Sequence, residues 1–583
     1  MKRTHTALVA LMLAFPGSAY ATPDEDQTAQ ASLVLIGDHP SSALLSDIEN
    51  QSRINTILSN MCKTNLGDID QQADQDIADG IAKALEERPA TSDFLTKRDN
   101  AALEAFYEER NFAPAWFDNG QWTRAARKLI FALARADRDG LNPADYKTPL
   151  LTTSRKRGSS PEDIARADIL LSLAVTRYTR DAFAGRVDPR IFSKKEVTIK
   201  PHYPDSIAAL SKLTISADPV ADMRSYNPPH KGFLALRNEY NHIRALGSRE
   251  KTTPIPNGKS LKIGMRDERV PLIRERIGLE PEQNTEDANL YSKSLAEKVK
   301  DFQLTNGLIA DGIVGNATLS IMNRGSDHKK LLADMIANME RWRWLPRDLG
   351  EMYVMVNIPT FSLDVVDKGK VIHQTRVVVG KSAHKTPLFS DQMEYLVVNP
   401  YWNVPKSIAS NELLPKIKTN PASFFANTNY QVLASVEGKT KIIDPSLLDW
   451  DKVEPGMVRL RQTPGTSNAL GNIKFMFPNQ HSVYLHDTPS RSLFNRDYRA
   501  FSHGCVRVHN PFELAEVVLS QTANWNADRV KKLLGKEERT VRLDKKIPVH
   551  LVYFTTWMSE DGQLLLRNDL YGHNNTVKKA LNL

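Results

Sequence analysis

One histidine and one cysteine, which have to meet in space, constrain this chain more than any other feature. The cysteine is Cys505, the last residue of a Ser-His-Gly-Cys run at 502–505, and fifteen residues separate that run from His486. Free cysteine has a pKa of about 8.5, so at neutral pH an imidazole has to take its proton before the sulfur can attack a carbonyl. The pattern therefore predicts acyl transfer through a thiol.

The neighbours of Cys505 suit the same chemistry. Gly504 has no Cβ, so the backbone at this position can approach a substrate closely. Backbone N–H groups around Cys505 can then face the negative charge that develops on a carbonyl oxygen under attack. The residue types at 502–505 thus predict a nucleophile together with an oxyanion site.

Together with segments farther upstream, this pattern resembles the L,D-transpeptidase family, in which a His precedes Ser/Thr-His-Gly-Cys by about fifteen residues. The resemblance covers about 351–572, with further similar segments at 377–381, 386–387, 399–405 and 471–475. Many members have Asn at the position of Arg507, but the large periplasmic, YcbB-like members that also carry a peptidoglycan-binding domain have Arg there. The resemblance implies a YkuD-type catalytic domain.

The resemblance also implies roles for individual residues. Cys505 is expected to attack a donor stem peptide, and His486 to accept the thiol proton and later serve the incoming amine. The backbone carbonyl of Asp487 is expected to orient the imidazole, while His503 and Gly504 would line the thiolate and the oxyanion. The supporting candidates are Ser502, which would hold the loop, Tyr484, which precedes His486 on the same face of its strand, and Arg507.

Two roles stay open for Arg507. Its guanidinium would either hold a carboxylate of the substrate or brace the cysteine loop through a carboxylate of the protein itself.

The activity that the resemblance implies is 3→3 cross-linking of peptidoglycan. The enzyme would cleave a tetrapeptide stem after meso-diaminopimelate, release the terminal D-Ala and pass the thioester to the amine of a neighbouring stem. Water as acceptor would make it an L,D-carboxypeptidase, and some members join a lipoprotein to the wall or cut that bond. The motif does not separate these activities, because the acceptor pocket lies outside it. A wall-binding scaffold with a silent catalytic domain is the non-enzyme alternative, which the intact Cys505 and His486 argue against.

Other site classes fit less well. Zinc accepts a set such as His486, His503 and Cys505, but the spacing at 503–505 is very short and no second Cys pair is present, so neither metal nor cofactor is expected. A papain-like protease would place its Cys ahead of its His and would need an Asn to orient the imidazole. The net charge of +8 comes from dispersed Lys and Arg, and no nucleic-acid motif accompanies it.

The N-terminus is typical of an exported protein. Lys2 and Arg3 precede an apolar run at 7–15, and small residues at 19–21 offer a cleavage position. Residues 1–21 are therefore predicted to be a signal peptide. After its removal we expect no stable membrane span and a periplasmic location.

Cys62 is expected to pack in a helix, because a disulfide to it would consume the nucleophile. The resemblance to L,D-transpeptidases further implies peptidoglycan tetrapeptide stems and other cell-wall synthesis proteins as candidate partners, and a pathway that shapes the cell and is a carbapenem target.

A chain of 583 residues is too long for one hydrophobic core. Helical periodicity predicts a scaffold domain at 42–250, and a compact helical pattern at 259–324 resembles the three-helix peptidoglycan-binding module, which would either bind the wall or serve as a structural arm. Strand periodicity from Met352 onward predicts a mainly β catalytic domain at 350–575. Its long insertion at 405–470 is predicted to be a lid rather than a passive decoration, so the fold class is multi-domain α+β.

Overall fold

The computed structural model of the protein describes residues 66–88, 93–247, 253–306, 308–323, 327–436 and 438–583. Residues 71–583 form one compact unit, and the other unit, Met1–Asp70, is described only from residue 66 onward. The predicted signal peptide at 1–21 and Cys62 lie outside the described residues. Within the described ranges, no helix combines the length and the apolar character needed to cross a membrane.

The first domain is helical, as its periodicity predicts. Its helices are α1 (Leu66–Glu86), α2 (Phe94–Glu108), α3 (Arg124–Leu133), α4 (Pro161–Ala184), α5 (Ser206–Ile215), α6 (Pro219–Arg224) and α7 (Lys231–Leu246), and a short hairpin of β1 (Phe117–Asp118) and β2 (Gln121–Trp122) precedes α3. The central helix α4 starts with a capping box, in which the Ser160 hydroxyl accepts from the N–H of Asp163 and the Asp163 carboxylate accepts from the N–H of Ser160.

A buried carboxylate fixes the packing of this domain. Asp168 in α4 accepts hydrogen bonds from the Tyr107 hydroxyl at 2.5 Å and from the N–H groups of Ala115 and Trp116 at 3.0 and 2.8 Å. A buried polar group is tolerated only when it is partnered, so these three bonds set the position of α4 against α2 and the loop before β1.

The second domain is the compact helical module predicted at 259–324. It contains α8 (Val270–Arg276), α9 (Lys293–Thr305) and α10 (Asn316–Met322). The buried amide of Gln303 joins its parts, because Nε2 donates to Asp311 and to the carbonyl of Ile313, both at 2.9 Å, and Oε1 accepts from the N–H of Gly312 at 2.8 Å. The glycine turn at 311–315 is therefore a structural element of the module. The module also contacts the β domain, since the N–H of Ile309 donates to the Asp497 carboxylate.

Helix α11 (His328–Arg343) leads into the β domain, which is built on one large sheet. Its strands are β3 (Met352–Asn357), β4 (Ser362–Asp367), β5 (Lys370–Gly380), β6 (Phe389–Val398), β11 (Ile473–Met476), β12 (Leu485–His486), β13 (Ala500–Ser502), β14 (Val506–Val508) and β15 (Arg539–Val552). The order is β13-β5-β14-β12-β11-β6-β15-β3-β4, and β4 also pairs with β5, so the sheet closes on itself. The helices α15 (Pro511–Leu519), α16 (Ala527–Lys531) and α17 (His573–Ala580) and the hairpin of β16 (Thr556–Met558) and β17 (Leu564–Leu566) complete the domain.

The strand that ends at His486 is only two residues long, because the Asn479 side chain folds 479–483 into a turn by accepting from the N–H groups of His481 and Val483. The long strand β15 lies inside the sheet, between β6 and β3.

The insertion at 405–470 folds around a core of its own. Helix α12 (Lys406–Ile408) continues through a π-helical turn (Ala409–Leu413) into α13 (Leu414–Thr419) and is followed by α14 (Pro421–Ala426). A four-stranded sheet has the order β7 (Trp402–Asn403), β10 (Arg459–Gln462), β8 (Tyr430–Val436) and β9 (Lys439–Ile443). Buried apolar residues between these layers, among them Ile417, Val432 and Trp450, make the insertion a small subdomain.

Substitution of Gly380 at the end of β5 should destabilise the β domain. A Cβ at this position would lie 2.1 Å from the carbonyl oxygen of His384 and 2.7 Å from the nitrogen of Thr386, both of which are backbone atoms. We expect Gly380→Ala to lower the free energy of unfolding by about 1–3 kcal/mol. Thermal unfolding measures this, and Gly315→Ala, whose Cβ meets nothing closer than 3.5 Å, is the matched control. Equal unfolding temperatures for the two variants would contradict the steric argument.

Candidate functional site

The site is assembled where two short strands run parallel. β12 and β14 pair with Leu485 opposite Val506 and His486 opposite Arg507. The pairing continues one step before the strands, where the N–H of Val506 donates to the carbonyl of Tyr484 at 3.1 Å. Because side chains alternate between the two faces, Tyr484, His486, Cys505 and Arg507 all project from the same face.

His486 is held as a neutral imidazole. Its ring is 4 % exposed, and Nδ1 donates to the backbone carbonyl of Asp487 at 2.5 Å. A carbonyl only accepts, so the proton is on Nδ1 and Nε2 is left as an acceptor. Burial lowers the pKa of His486 to about 3, and the nearby cations of Arg507 and Lys474 act in the same direction.

The carbonyl that orients His486 is itself fixed. The Asp487 carboxylate accepts from the N–H of Asn472 at 2.9 Å and from its side-chain amide at 3.2 Å, and the N–H of Asp487 donates to the carbonyl of Ile473 at 2.9 Å. Gly471 has a φ of +60°, and a Cβ there would lie 2.4 Å from that carboxylate. Residue 471 therefore has to be glycine, because any side chain there would displace the Asp487 carboxylate.

Cys505 is a free, partly buried thiol. Its Sγ lies 3.8 Å from the carbonyl oxygen of Ser482. Burial raises the pKa of Cys505 to about 11, although hydrogen bonds from the backbone N–H and the hydroxyl of Tyr484 and the charge of Arg507 act in the opposite direction. Cys505 and His486 are not hydrogen-bonded to each other in the structure. The ring centroids of Tyr484 and His486 lie 5.7 Å apart.

Ser502 and Gly504 shape the loop that carries the thiol. The Ser502 hydroxyl donates to the carbonyl of Cys505 at 2.5 Å and accepts from the N–H of Gly504 at 3.1 Å. Gly504 has a φ of +115°, and its carbonyl accepts from the Thr386 hydroxyl at 2.8 Å. The N–H of Gly504 is therefore engaged inside the loop, whereas no acceptor among the described residues takes the N–H of Cys505.

Arg507 is half-buried beside this loop without an ionic partner. Its Nε is buried and unpaired, and no carboxylate of the described residues forms an ion pair with its guanidinium. Burial lowers the pKa of Arg507, while the neighbouring Cys505 opposes that shift. A brace through a protein carboxylate, one of the two predicted roles, is not found in the described part of the chain.

His503 contacts the insertion, which sequence reasoning did not foresee. Its Nε2 lies 2.5 Å from a carboxylate oxygen of Glu412, a residue of the π-helical turn, and its ring lies 4.7 Å from that of His384. Ninety residues separate Glu412 from His503 in the sequence, and no motif marks the glutamate. The contact places the insertion against the loop at 502–505.

The helical domain also reaches the site. Residue Val197 forms a β-bridge with Leu388, the Glu196 carboxylate pairs with Lys385 at 3.0 Å, and Thr198 hydrogen-bonds His481 at 2.9 Å. The carbonyl of Lys385 faces Gly504, and His481 precedes the Ser482 carbonyl that contacts Cys505. No group of three or more metal-ligating side chains occurs in the described ranges.

Family models match three parts of the chain. Residues 351–537, which hold the whole arrangement around Cys505, match the model described as "L,D-transpeptidase catalytic domain". The chain carries an L,D-transpeptidase catalytic domain. Residues 101–239 match the "Scaffold domain" and 276–322 the "Putative peptidoglycan binding domain", so the predicted fold class and the predicted family are confirmed.

One curated protein and several solved structures are similar to parts of the chain. A Haemophilus influenzae protein named "Putative L,D-transpeptidase" is 35 % identical over 259 residues, which are 44 % of this chain and 51 % of the relative. The chain thus matches about half the length of this curated relative. An L,D-transpeptidase structure from Stackebrandtia nassauensis is 17 % identical and covers 52 % of this chain and 97 % of its own, with a TM-score of 0.20. One from Mycobacterium smegmatis is 14 % identical and covers 35 % and 58 %, with a TM-score of 0.17. TM-scores this low carry no argument.

The raised pKa of Cys505 predicts how its alkylation depends on pH. Below a pKa of about 11 the thiolate fraction grows tenfold with each pH unit, so the rate constant for iodoacetamide should rise about tenfold per unit from pH 7 to 10. Tyr484→Phe removes one hydrogen bond to the sulfur and should slow the reaction at each pH. Mass spectrometry of the Cys505 peptide measures the rate, with a free cysteine peptide as control. A rate that is flat between pH 6 and 8 would contradict a neutral resting thiol.

The contact between Glu412 and His503 predicts a change in the mobility of the insertion. Because the pair is partly exposed, Glu412→Ala should speed amide hydrogen exchange across 406–419 only about two- to fivefold. Glu454→Ala changes an exposed glutamate elsewhere in the insertion and is the matched control. Unchanged exchange in the Glu412 variant would show that the contact does not hold the insertion in place.

Proposed function

We propose that this protein is a peptidoglycan L,D-transpeptidase that forms 3→3 cross-links through a thioester on Cys505. One observation carries the proposal above all: a free thiol and a neutral imidazole, its tautomer fixed by the Asp487 carbonyl, project from one face of a parallel strand pair. Such a pair supplies a nucleophile and a general base. The family match at 351–537 supports the same reaction class.

Acylation starts from the neutral thiol. His486 Nε2 takes the proton as the sulfur attacks the carbonyl of meso-diaminopimelate in a tetrapeptide stem, and collapse of the tetrahedral intermediate expels D-Ala as an amine that recovers the proton. Substrate binding has to shorten the distance between Cys505 and His486, as is common in enzymes whose catalytic hydrogen bonds tighten only with substrate. Tyr484, by donating hydrogen bonds to the sulfur, stabilises the developing thiolate.

The oxyanion of that intermediate needs donors that are not already engaged. The N–H of Cys505 has no acceptor in the described residues, whereas that of Gly504 is bonded to Ser502. We therefore assign the Cys505 N–H to the oxyanion and give Ser502 and Gly504 the role of holding the loop that presents it. His503 lines the same region through its contact with Glu412.

Arg507 is assigned to a carboxylate of the substrate. The Nε of this half-buried side chain is buried and unpaired, which is unfavourable unless a ligand completes it. The stem peptide carries carboxylates near its reacting carbonyl, and Arg binds such groups in a fixed fork geometry. This leaves the loop to be braced by Ser502 and Thr386 rather than by an ion pair.

We assign the insertion at 405–470 the role of a lid over the site, because Glu412 joins it to the cysteine loop. A closed lid excludes water, which favours an amine acceptor over hydrolysis. This favours transpeptidation over the L,D-carboxypeptidase alternative, and lipoprotein ligation or cleavage is the remaining activity of the same family. A silent wall-binding scaffold is disfavoured by the intact His486 and Cys505.

The proposed setting is the periplasm, with export through the predicted signal peptide. Peptidoglycan stems are the proposed partner of the catalytic domain, and the module matched at 276–322 is proposed to add affinity for the wall, with other cell-wall synthesis proteins as further candidate partners. Participation in wall biogenesis and cell shape, and acylation by carbapenems, follow from the same proposal.

Muropeptide analysis tests the reaction. Incubation of the protein with purified tetrapeptide muropeptides should give 3→3 dimers and free D-Ala, and Cys505→Ala should abolish both. His486→Ala should slow the reaction about 10²–10⁴-fold at pH 7 and recover in part above pH 9, where hydroxide deprotonates the thiol. His242→Ala, an exposed histidine of α7, is the control.

The products separate the alternatives. Tripeptides without dimers would identify an L,D-carboxypeptidase, and dimers from the Cys505→Ala protein would refute the assigned nucleophile. A carbapenem adduct on Cys505, seen by intact mass, would exclude a silent scaffold even if no natural substrate reacted.

A further inference from the structure

A cavity of about 650 Å³ lies where the helical domain meets the catalytic sheet, outside the site around Cys505. It is lined by 198–200 and His202 of the helical domain, by 389–391 at the start of β6, and by the turn at 478–481. This size is within the range of small-molecule binding sites. The residues of the catalytic site, Cys505 and His486 among them, are absent from its lining.

The walls of the cavity are fixed by contacts within the protein. Thr198 is bonded to His481, and the Ser390 hydroxyl to His550. The rings of Phe389 and His481 lie 5.1 Å apart, and Trp344 forms a buried part of the lining. These groups make a rigid, partly aromatic wall and are not free to change partners.

The remaining polar side chains of the lining are free to bind a ligand. Lys200, Gln480 and His202 are exposed, and none has a side-chain partner among the described residues. The Asp391 carboxylate accepts only from the neighbouring backbone N–H of Gln392 and pairs with no cation. A partly aromatic wall with amide, ammonium and carboxylate groups at the rim suits a polyhydroxylated ligand.

The cavity lies beside the cysteine loop. His481 lines the cavity, and the carbonyl of the next residue, Ser482, lies 3.8 Å from Sγ of Cys505. Cys505 itself is not a lining residue, and a reacting amine has to lie about 3–3.5 Å from the thioester carbon, so the cavity would hold a part of the substrate other than the reacting groups. Three stem residues in extended form span roughly 10 Å between the attacked carbonyl and the linker to the sugar, so a stem can reach from the thiol into the cavity.

We propose that this cavity binds the amino-sugar end of a glycan-linked peptide stem while the reacting carbonyl of the stem lies at Cys505. The inference rests on the proposed function, because it takes the stem as the substrate. Lys200, Gln480 and Asp391 would hydrogen-bond the hydroxyl and acetamido groups of the sugar. The helical domain then contributes directly to substrate recognition.

Binding to a protein that cannot turn over tests this. Calorimetry with Cys505→Ala protein compares a disaccharide-tetrapeptide with the same tetrapeptide lacking the sugars, and we expect the first to bind at least about fivefold more tightly. In a Cys505→Ala protein that also carries K200A and Q480A, the difference should fall below twofold, with the affinity for the free tetrapeptide unchanged. The matched control adds K194A and Q392A, two exposed side chains outside the cavity lining.

Two results would overturn the inference. One is equal affinity of the Cys505→Ala protein for the two ligands, and the other is an equal loss for both ligands in the K200A and Q480A protein. Failure of the proposed function would be seen separately, as an absence of D-Ala release and of dimers from the protein with its cysteine intact. A sugar-dependent affinity without turnover would therefore support the cavity assignment and reject the proposed reaction.

Discussion

The parallel pairing of β12 with β14 is the interaction on which the site depends. Its register sets Tyr484, His486, Cys505 and Arg507 on one face, and a shift by one residue would turn all four away. Such short strands cannot hold a register alone. It is maintained by the closed sheet around them and by side chains at both ends, with Asp487 bonded to Asn472 on one side and Thr386 bonded to Gly504 on the other.

Burial determines the resting protonation states of Cys505 and His486. It raises the pKa of the Cys505 thiol and lowers that of the His486 imidazole, and Arg507 strengthens the second effect. Both groups are therefore neutral before substrate arrives, unlike a thiolate–imidazolium pair. A neutral thiol reacts slowly with oxidants and electrophiles, and in the proposed reaction the substrate has to bring sulfur and base together.

The domains that surround the transpeptidase domain meet at its site rather than only flanking it. Glu412 of the insertion contacts His503, Glu196 of the helical domain contacts Lys385, and the peptidoglycan-binding-like module contacts Asp497 in the loop before β13. Glu196 is followed by Val197, which is buried in the apolar core of the catalytic sheet and bridges Leu388, so the helical domain is fixed at this point. The contact between Glu412 and His503 is partly exposed and joins the insertion, which has its own core, to the cysteine loop, so it can open without disturbing either core.

The sequence by itself predicted the domain classes, because helical and strand periodicity are local patterns, and the Ser-His-Gly-Cys motif led to the family and to Cys505 and His486 as the proposed nucleophile and base. The resemblance to that family also implied that the backbone carbonyl of Asp487 orients His486, and the structure places the two in contact. Three features were decided by the tertiary structure alone. The N–H of Gly504 donates to the Ser502 hydroxyl, and Arg507 forms no ion pair with the described residues. Glu412 and Glu196 reach the neighbourhood of the cysteine loop from other parts of the chain. Those facts depend on contacts between residues far apart in the chain, and one sequence carries no local signal for which distant side chains will meet.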